Sequence, residues 1–248
     1  MKYYYDLHLH SCLSPCADND MTPNNIAGMA KLCGLDLVAL TDHNTAKNCP
    51  AFFEAAKRYG IVPVAGMELT TAEDIHVVCL LETLEAALQL DSDLQAHRML
   101  IPNRTDIFGD QLILDGEDNV IGTEPHFLSN ATDLSIEDVP DFITRYGGVC
   151  YPAHIDRQAN GIIAVLGTFP ASPRFTCAEI NRREAIEEHL NSYPLLRDKQ
   201  IIVSSDAHYL TDMRDAENFL ELEGEEVVRA LLAKLRSQVG SNLVSSEQ

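Results

Sequence analysis

The fold is constrained most strongly by one stretch near the start of the chain, Tyr3-Tyr-Tyr-Asp-Leu-His-Leu-His10. It begins with aromatic side chains and then alternates between apolar and polar ones, and this period of two predicts a β-strand. Because residues two apart in a strand point to the same side, His8 and His10 face one side together. Two imidazoles held in this way, where a strand opens into a loop, form half of a metal site, although a His-x-His motif on its own is more often structural.

Length and composition indicate one large α/β domain or two small ones. The chain has 248 residues, of which 46% are hydrophobic, so it can bury a sizeable core. No apolar run reaches the roughly 18 residues that a membrane span needs, and the residues after Lys2 lack the pattern of a signal peptide. We therefore expect a cytoplasmic protein with no membrane partner, and the sequence indicates no oligomeric state.

The surface charge narrows the choice of substrate. The chain carries 38 acidic and 18 basic residues, a formal net charge of -20. Such a surface repels a nucleic-acid backbone, so we expect no long nucleic acid as a partner. A small phosphorylated substrate stays compatible with this charge, because bound metal cations reverse the field locally.

Short apolar strands alternate with amphipathic helices along most of the chain, which predicts a parallel sheet covered by helices. Residues 102–132 break this order. Within them, the short apolar runs at 111–114 and 119–121 flank a turn and predict a β-hairpin. We interpret residues 102–132 as an arm inserted into a single domain of residues 1–240, followed by a polar tail at 241–248.

Side chains that bind metals recur where the predicted strands end, which is the active face of parallel α/β sheets. They are His8, His10, Asp42, His43, Glu68, His154, Asp206 and His208, with His76 at the head of its strand and Asp18 in the loop after the first strand. Histidine and carboxylate ligands without thiolate suit zinc, manganese or iron(II). Since one ion cannot use so many ligands, we expect two or three divalent ions that share a bridging carboxylate.

Cysteines are scattered, and their number is odd, seven in all. Most of those placed in apolar stretches are interpreted as small buried hydrophobic residues. Cys12 and Cys16 differ because they flank the first histidines with a C-x3-C spacing. A role for them as metal ligands or as a redox pair is the less favoured alternative, and no second pair completes a zinc-ribbon pattern.

The motifs around the ligand residues resemble those of the PHP family (polymerase and histidinol phosphatase) of metal-dependent phosphoesterases. The matching segments are 6–10 (DLHLH), 40–44 (LTDHN), 66–68 (GME), 75–77 (IHV), 153–154 (AH) and 204–208 (SSDAH). They span most of the chain in the order in which the family has them. The resemblance implies a distorted (β/α)7 barrel with a trinuclear metal site at its C-terminal face.

The resemblance also implies a ligand set for each ion. The first ion would be held by His8, His10, Glu68 and Asp206. Glu68 would bridge to the second ion, which would be completed by His76 and His154. The third ion would be held by Asp18, His43 and His208, with Asp20 as an alternative to Asp18. Asp42 would be a carboxylate that orients a ligand.

The chain departs from the family pattern in two places, which are the arm and the segment after His154. Where many members have proline, this chain continues with Ile155-Asp156-Arg157. The planar guanidinium of Arg157 suits a phosphate, so Arg157 is the candidate substrate-binding residue, with a plain surface position as the alternative.

These features favour a phosphoesterase, in which a metal-activated water attacks phosphorus and Asp206 or His208 protonates the leaving group. The expected substrate is a small phosphomonoester, or the terminal phosphate or nucleotide of a short nucleotide. Two alternatives remain open. An amidohydrolase-type metal hydrolase also uses His-x-His and a strand-end aspartate, but it needs a lysine or a comparable bridge. A non-catalytic, metal-stabilised PHP module would be expected to have lost ligands.

Overall fold

The computed structural model describes residues 1–237, so the predicted polar tail at 241–248 lies outside the described residues. The strands are β1 (Lys2–Asp6), β2 (Leu37–Leu40), β3 (Val62–Thr70), β4 (His76–Leu81), β5 (Leu112–Leu114), β6 (Val120–Thr123), β7 (Val149–Pro152), β8 (Cys177–Glu179), β9 (Gln200–Ile202) and β10 (Phe219–Glu221). The helices are α1 (Pro23–Leu32), α2 (Cys49–Tyr59), α3 (Leu84–Leu94), α4 (Thr105–Phe108), α5 (Val139–Thr144), α6 (Ile162–Leu166), α7 (Ile186–Ser192) and α8 (Val227–Arg236). Short 3-10 turns cover Gln95–His97, Arg183–Ala185, Pro194–Asp198 and Leu210–Asp212.

The main sheet is curled, with the strand order β10-β1-β2-β3-β4-β7, and β8 pairs with β9 beside it. Backbone hydrogen bonds connect the six-stranded sheet to the β8-β9 pair at both of its ends. Ile155 N donates to Glu179 O at 2.9 Å, which joins the ends of β7 and β8. Asp206 N donates to His8 O at 3.0 Å, which joins the ends of β9 and β1. The α/β barrel fold expected from the sequence is therefore confirmed, as a curled sheet.

The expectation of a wholly parallel sheet is wrong for β4, which runs antiparallel to both of its neighbours, β3 and β7. Only a short turn connects β3 to β4, and such a connection is too short for the crossover that parallel strands need. Gly66 allows the two strands to approach closely, since a Cβ there would lie 2.5 Å from Cys79 O. The reversal places the first residue of β4, His76, at the edge where the parallel strands end.

Apolar side chains cover both faces of the sheet. Tyr5 and Leu7 belong to the buried cluster on one face, against which α8 packs. Val38 and Leu40 belong to the cluster on the other face, under α1 and α2. Successive residues of a strand point to opposite faces, so a continuous apolar run is needed where both faces are buried.

The first helix begins as its sequence predicts. Thr22 is the N-cap of α1, its hydroxyl accepts a hydrogen bond from Asn25 N at 3.3 Å, and Pro23 occupies the first helical turn. No helix within residues 1–237 is both long enough and apolar enough to cross a membrane.

The arm contains the predicted hairpin, formed by β5 and β6. Leu112 N donates to Cys12 O at 3.1 Å, and Leu114 N donates to Asn48 Oδ1 at 3.0 Å. The hairpin is thus hydrogen-bonded to the loop that follows β1 and to the start of α2. The remainder of the arm, including α4, lies over the edge where the strands end.

Candidate metal centre

The strand ends bring eight of the predicted ligand residues into one cluster. Parallel strands end at a common edge, and the reversed β4 begins there, so residues far apart in sequence become neighbours. The eight are His8, His10, His43, Glu68, His76, His154, Asp206 and His208. Six of them are buried, while His76 and His208 are partly exposed.

The first group of ligand atoms surrounds a space the size of one ion. His8 Nε2 and His10 Nε2 are 3.2 Å apart, and Asp206 Oδ1 lies 3.3 and 3.1 Å from them. Glu68 contributes both oxygens, each 3.3 Å from one of these nitrogens. An ion with bonds of about 2.0–2.2 Å holds its ligand atoms about 3.0–3.5 Å apart, so the spacing fits one divalent cation.

The ring orientation of three histidines leaves Nε2 free to bind. His8 Nδ1 lies 3.0 and 3.1 Å from the two Glu179 oxygens, which can only accept. His208 Nδ1 donates to the backbone oxygen of Asp206 at 2.9 Å. His10 Nδ1 donates to Ser14 Oγ at 2.9 Å. In each ring the lone pair therefore lies on Nε2, as a metal ligand requires.

Asp42 acts on the cluster through its neighbours. Its Oδ1 accepts hydrogen bonds from Ser14 Oγ and Ser11 N, both at 2.7 Å, and its Oδ2 accepts from Ser11 Oγ at 2.6 Å. Because Ser14 donates to Asp42, its own oxygen is free to accept from His10. Asp42 thus holds His10 in place through one serine, and its role as a carboxylate that orients a metal ligand stays a prediction.

Glu179 is a site residue that the sequence analysis did not identify. It is fully buried at the end of β8, and besides holding His8 it accepts a hydrogen bond from His154 N at 3.0 Å. The sequence did offer one signal for Glu179, which is a carboxylate at the end of a strand, but no family motif contains this residue.

Glu68 lies at the centre of the cluster. Its Oε1 is 2.9 Å from His76 Nδ1 and 3.0 Å from His154 Nε2, while its Oε2 is 3.0 Å from His43 Nδ1. Three overlapping groups could each hold an ion: His8, His10, Glu68 and Asp206; His43, Glu68 and His76; and His10, His43 and His208. A carboxylate that belongs to two groups suits the bridging position.

Two of the ligand residues have left-handed backbone conformations, with φ of 27° at His154 and 53° at Asp206. Residues other than glycine adopt this region at a cost of about 1–3 kcal/mol, and such strain concentrates at functional sites. Both residues directly follow a strand, so this backbone turn aims their side chains back over the sheet edge.

Buried charges of opposite sign perturb the acid–base equilibria of the cluster. Burial alone would raise the pKa of Glu68, but His76, His8 and His43 hold this pKa well below its usual value. Burial alone would lower the pKa of His8, but Glu179, Asp206 and Glu68 raise this pKa well above its usual value. The carboxylates therefore favour positive charge at this position, and divalent cations satisfy that preference.

Asp18 does not join the cluster, and this prediction needs correction. The residue is exposed, and its Oδ1 accepts a hydrogen bond from Asp20 N at 2.8 Å. Its backbone N donates to His208 O at 2.9 Å, so the loop approaches the site while the Asp18 side chain turns outward. The alternative, Asp20, is exposed as well.

Cys16 lies in the place where Asp18 was expected. Its thiol faces His43 and His208, and the residue lines the pocket above the cluster. Burial would raise the pKa of the thiol, but His43, His208 and His10 lower this pKa to about 5.

A pocket of about 480 Å³ opens above the ligand cluster. Arg157 stands at its side, with Nη1 2.6 Å from Asp206 Oδ2 and 44% of its side chain exposed. The arm contributes Ile107, Phe108 and Phe127 to the lining of this pocket. The pocket therefore combines buried ligand atoms, one guanidinium and an apolar wall.

A match to a family model agrees with this clustering of ligand residues. Residues 6–122 match the model of the PHP domain. This match identifies a PHP-like segment that covers just under half of the chain. The matched part of the PHP domain includes five of the eight clustered residues, namely His8, His10, His43, Glu68 and His76, and the other three follow it in sequence.

Two curated relatives match parts of this chain. The PolC-type DNA polymerase III of Thermotoga petrophila is 37% identical over 73 residues, 29% of this chain and 5% of the polymerase. The 5'-3' exoribonuclease of Haemophilus influenzae is 31% identical over 115 residues, 45% of this chain and 40% of the exoribonuclease. The chain thus spans less than half the length of either relative.

Solved structures share the fold of this chain at low sequence identity. The lesion-specific endonuclease Q of Pyrococcus furiosus has a TM-score of 0.64 at 16% identity, over 95% of this chain and 56% of that one. A second endonuclease Q structure, which contains a 27-mer duplex substrate, has the same TM-score of 0.64. A candidate metal-dependent phosphoesterase of Bifidobacterium adolescentis has a TM-score of 0.57 at 18% identity, over 96% of this chain and 98% of that one. The PHP domain match and the ligand clusters together support a metal-dependent hydrolase.

Proposed function

We propose that this protein is a metal-dependent phosphoesterase that hydrolyses a small phosphomonoester, or the terminal phosphate or nucleotide of a short nucleotide. The observation that carries the proposal is the set of three overlapping ligand groups at the floor of one pocket. Buried imidazoles and carboxylates whose lone pairs converge at the spacing of a coordination shell have no other evident use.

The donor set fits divalent ions such as zinc, manganese or iron(II). His8, His10, Glu68 and Asp206 are proposed to hold the first ion. Glu68 is proposed to bridge to a second ion, which His76 and His154 complete. His43 and His208 are proposed to hold a third ion. Asp18, the further ligand predicted for this ion, is left out of the proposal. When bound, such ions would supply Lewis acidity and a water acidic enough to act as a nucleophile.

Either His208 or Asp206 is proposed to deliver a proton to the leaving group. The His208 side chain is 20% exposed to the pocket, and its Nδ1 lies 3.6 Å from Asp206 Oδ1. Nδ1 is held by the backbone oxygen of Asp206, so it is the ring nitrogen that carries the proton, while Nε2 would hold the third ion.

Arg157 is proposed to bind a phosphate of the substrate. Its guanidinium is paired with Asp206 and reaches into the pocket. A guanidinium offers several N–H donors in one plane, so it can hold Asp206 and a phosphate oxygen together. Hydrogen bonds of this charged type contribute about 1.5–3 kcal/mol.

The arm supports a small substrate with a flat apolar leaving group. Phe108 and Phe127 lie with ring centroids 4.3 Å apart and line the same pocket as the ligand residues. Ile107 beside them keeps 57% of its surface exposed. A nucleobase or another aromatic ring can stack on such a wall while the phosphate reaches the cluster.

Long nucleic acids are not favoured as substrates, although a related fold acts on them. The endonuclease Q complex contains a 27-mer duplex, but this chain covers only 57% of that protein. With its net charge of -20, this chain repels a polyanion wherever no cation is bound. We propose a small phosphorylated partner and no membrane partner.

The two alternatives are less well supported. No lysine lies among the residues that line the pocket in the described part of the chain, whereas an amidohydrolase-type site needs a lysine or comparable bridge. Apart from Asp18, every predicted ligand joins the cluster, whereas a non-catalytic PHP module would be expected to have lost ligands.

The test is a substrate screen on metal-stripped protein reloaded with zinc, manganese or iron(II). We expect phosphate release from phosphomonoesters and short nucleotides, and little hydrolysis of the 27-mer duplex. Glu68→Gln should lose metal and nearly all hydrolysis while keeping the fold, and Glu85→Gln, exposed on α3, is its matched control. Bound metal without any ester hydrolysis would favour the non-catalytic module, and amide hydrolysis would favour the amidohydrolase.

A further inference from the structure

The group formed by His10, His43 and His208 is unusual in the cluster because it contains no carboxylate. Its three ligand atoms lie within 4.8 Å of one another. Three neutral imidazoles leave at least one position of a tetrahedral zinc-like ion unfilled and supply no negative charge. Such a site needs an anion, and Asp18, the residue predicted to provide it, is exposed and engaged with Asp20.

Cys16 lines the pocket beside this group, together with His43 and His208. Its thiol faces His43 and His208. The loop that carries it is fixed on both sides, because Ala17 N donates to Ser14 O at 3.0 Å and Asp18 N donates to His208 O at 2.9 Å. The backbone thus presents Cys16, rather than Asp18, to the three imidazoles.

A second observation, independent of the cysteine, also points to an ion beside His43. His43 is buried, yet its Nδ1 has no hydrogen-bond partner although Glu68 Oε2 is 3.0 Å away. An unpaired buried imidazole nitrogen is costly in a folded protein, and a metal ion is a partner that removes this cost.

We propose that Cys16 is the anionic ligand of the third metal ion, together with His43, His208 and His10. On binding, the Cys16 thiol releases its proton to solvent and a sulfur–metal bond forms, with no change of oxidation state. A thiolate is a soft ligand, so this position should select zinc, iron(II) or cobalt(II) over magnesium and manganese. The inference depends on the metal centre of the proposed function but not on its substrate.

Cobalt substitution tests the bond directly. The metal-stripped protein is reloaded with cobalt(II), and a sulfur-to-cobalt charge-transfer absorption is expected in the near ultraviolet. Cys16→Ser should abolish this absorption and lower the content of bound metal by one ion per chain, and Cys16→Asp should restore the ion without the absorption. Cys33→Ser, a partly exposed cysteine outside the cluster, is the matched control and should change neither quantity.

A second measurement uses the exposure of Cys16. Iodoacetamide should modify Cys16 in the stripped protein, and loading with zinc should protect it, as read by peptide mass mapping. The inference is overturned if Cys16→Ser retains the absorption and the full metal content, or if Asp18→Asn rather than Cys16→Ser loses the third ion. Cobalt–sulfur absorption in a protein that hydrolyses no phosphate ester would support Cys16 and refute the proposed function.

Discussion

Glu179 connects two ligand residues that lie far from it in sequence. Its carboxylate holds His8 Nδ1 and accepts from His154 N, so one buried side chain fixes a ring on β1 and a backbone turn after β7. Residues of this kind orient a ligand ring and raise its basicity. Its negative charge also helps to keep the pKa of His8 well above the usual value in the metal-free protein.

We expect Glu179→Gln to lower the affinity for the first ion by about 10–100-fold, the usual effect of losing such an outer partner. The amide keeps one acceptor for His8 but removes the charge. Zinc affinity measured by competition with a chromophoric chelator tests this. Glu187→Gln, exposed on α7, is the control, and equal affinities in the two variants would make Glu179 a purely structural residue.

Arg157 gives a prediction about substrate choice. Its guanidinium pairs with Asp206 and is partly exposed to the pocket. We expect Arg157→Ala to cost about 1.5–3 kcal/mol in kcat/KM on a substrate with a second phosphate, and little on a simple phosphomonoester. Arg157→Lys keeps the charge but loses the planar fork, so it should recover only part of the loss.

Kinetics on both substrates decide where Arg157 acts. An equal loss on both would place its guanidinium at the phosphate that reacts. No loss on either would leave it as a surface residue paired with Asp206.

At the scale of elements, the hairpin of β3 and β4 builds the centre of the site. Thr70 pairs with His76 across the hairpin, two residues beyond Glu68 on the same strand. Side chains on one face of neighbouring strands lie close together, so His76 Nδ1 reaches Glu68 Oε1 at 2.9 Å. A parallel β4 would have carried His76 to the opposite edge of the sheet.

The apolar side chains of the arm suggest that it binds the substrate by stacking. Removing Phe108 or Phe127 takes away a stacking surface worth about 1–3 kcal/mol for an aromatic ring. We therefore expect Phe108→Ala and Phe127→Ala to raise KM roughly 5- to 150-fold for a nucleoside monophosphate. The effect on glycerol phosphate should be small, because that substrate has no ring to stack.

The control for the arm is Ile121→Ala, which removes an apolar side chain that is 65% exposed on β6 and does not line the pocket. If Phe108→Ala weakened both substrates alike, the arm would act as a general cover and the stacking proposal would fail. If neither substrate responded, the arm would have no part in substrate binding.

At the scale of the whole molecule, the metal centre links the sheet edge to stability. An ion that binds only the folded chain stabilises it by about 2.7 kcal/mol at a free concentration 100 times its Kd. For a chain of this size, this corresponds to a rise in Tm of roughly 5–10 °C. We expect chelation to lower Tm by that amount, measured by calorimetry in metal-stripped and zinc-loaded protein.

The pH dependence of this difference follows from the histidines. In the metal-free protein the pKa values of His8 and His43 are raised well above the usual one by their carboxylate or thiol partners, against the effect of burial. Their contribution to stability is fully present below about pH 6.5, the unfolded value, and is lost as the pH rises through the folded pKa. The loaded protein does not depend on those protons.

The gap in Tm between loaded and stripped protein should therefore widen as the pH rises from about 6.5 to 8. Melting curves at several pH values test this. A gap that stayed constant or narrowed would mean that His8 and His43 are not protonated in the metal-free fold.

Local patterns were enough to predict much of this protein. Alternation in the first strand placed His8 and His10 on one side, and strand ends indicated Glu68, His154 and Asp206, since short-range spacing alone decides which way these side chains point. The hairpin of the arm was also predicted, because it depends on residues adjacent in sequence. The barrel and the full ligand set came from resemblance to the PHP family.

Other features were decided only by the tertiary structure. Glu179 meets His8 across 171 positions of sequence, and no local pattern encodes that contact. The direction of β4 was misjudged because an apolar strand looks the same in both directions, and only its pairing with β3 and β7 reverses it. Asp18 was chosen over Cys16 by residue type, yet the hydrogen bond from Asp18 N to His208 O turns the aspartate outward and the thiol toward the imidazoles. Sequence spacing specifies which residues can serve as ligands, but the loop path, set by distant hydrogen bonds, decides which of them faces the histidine cluster.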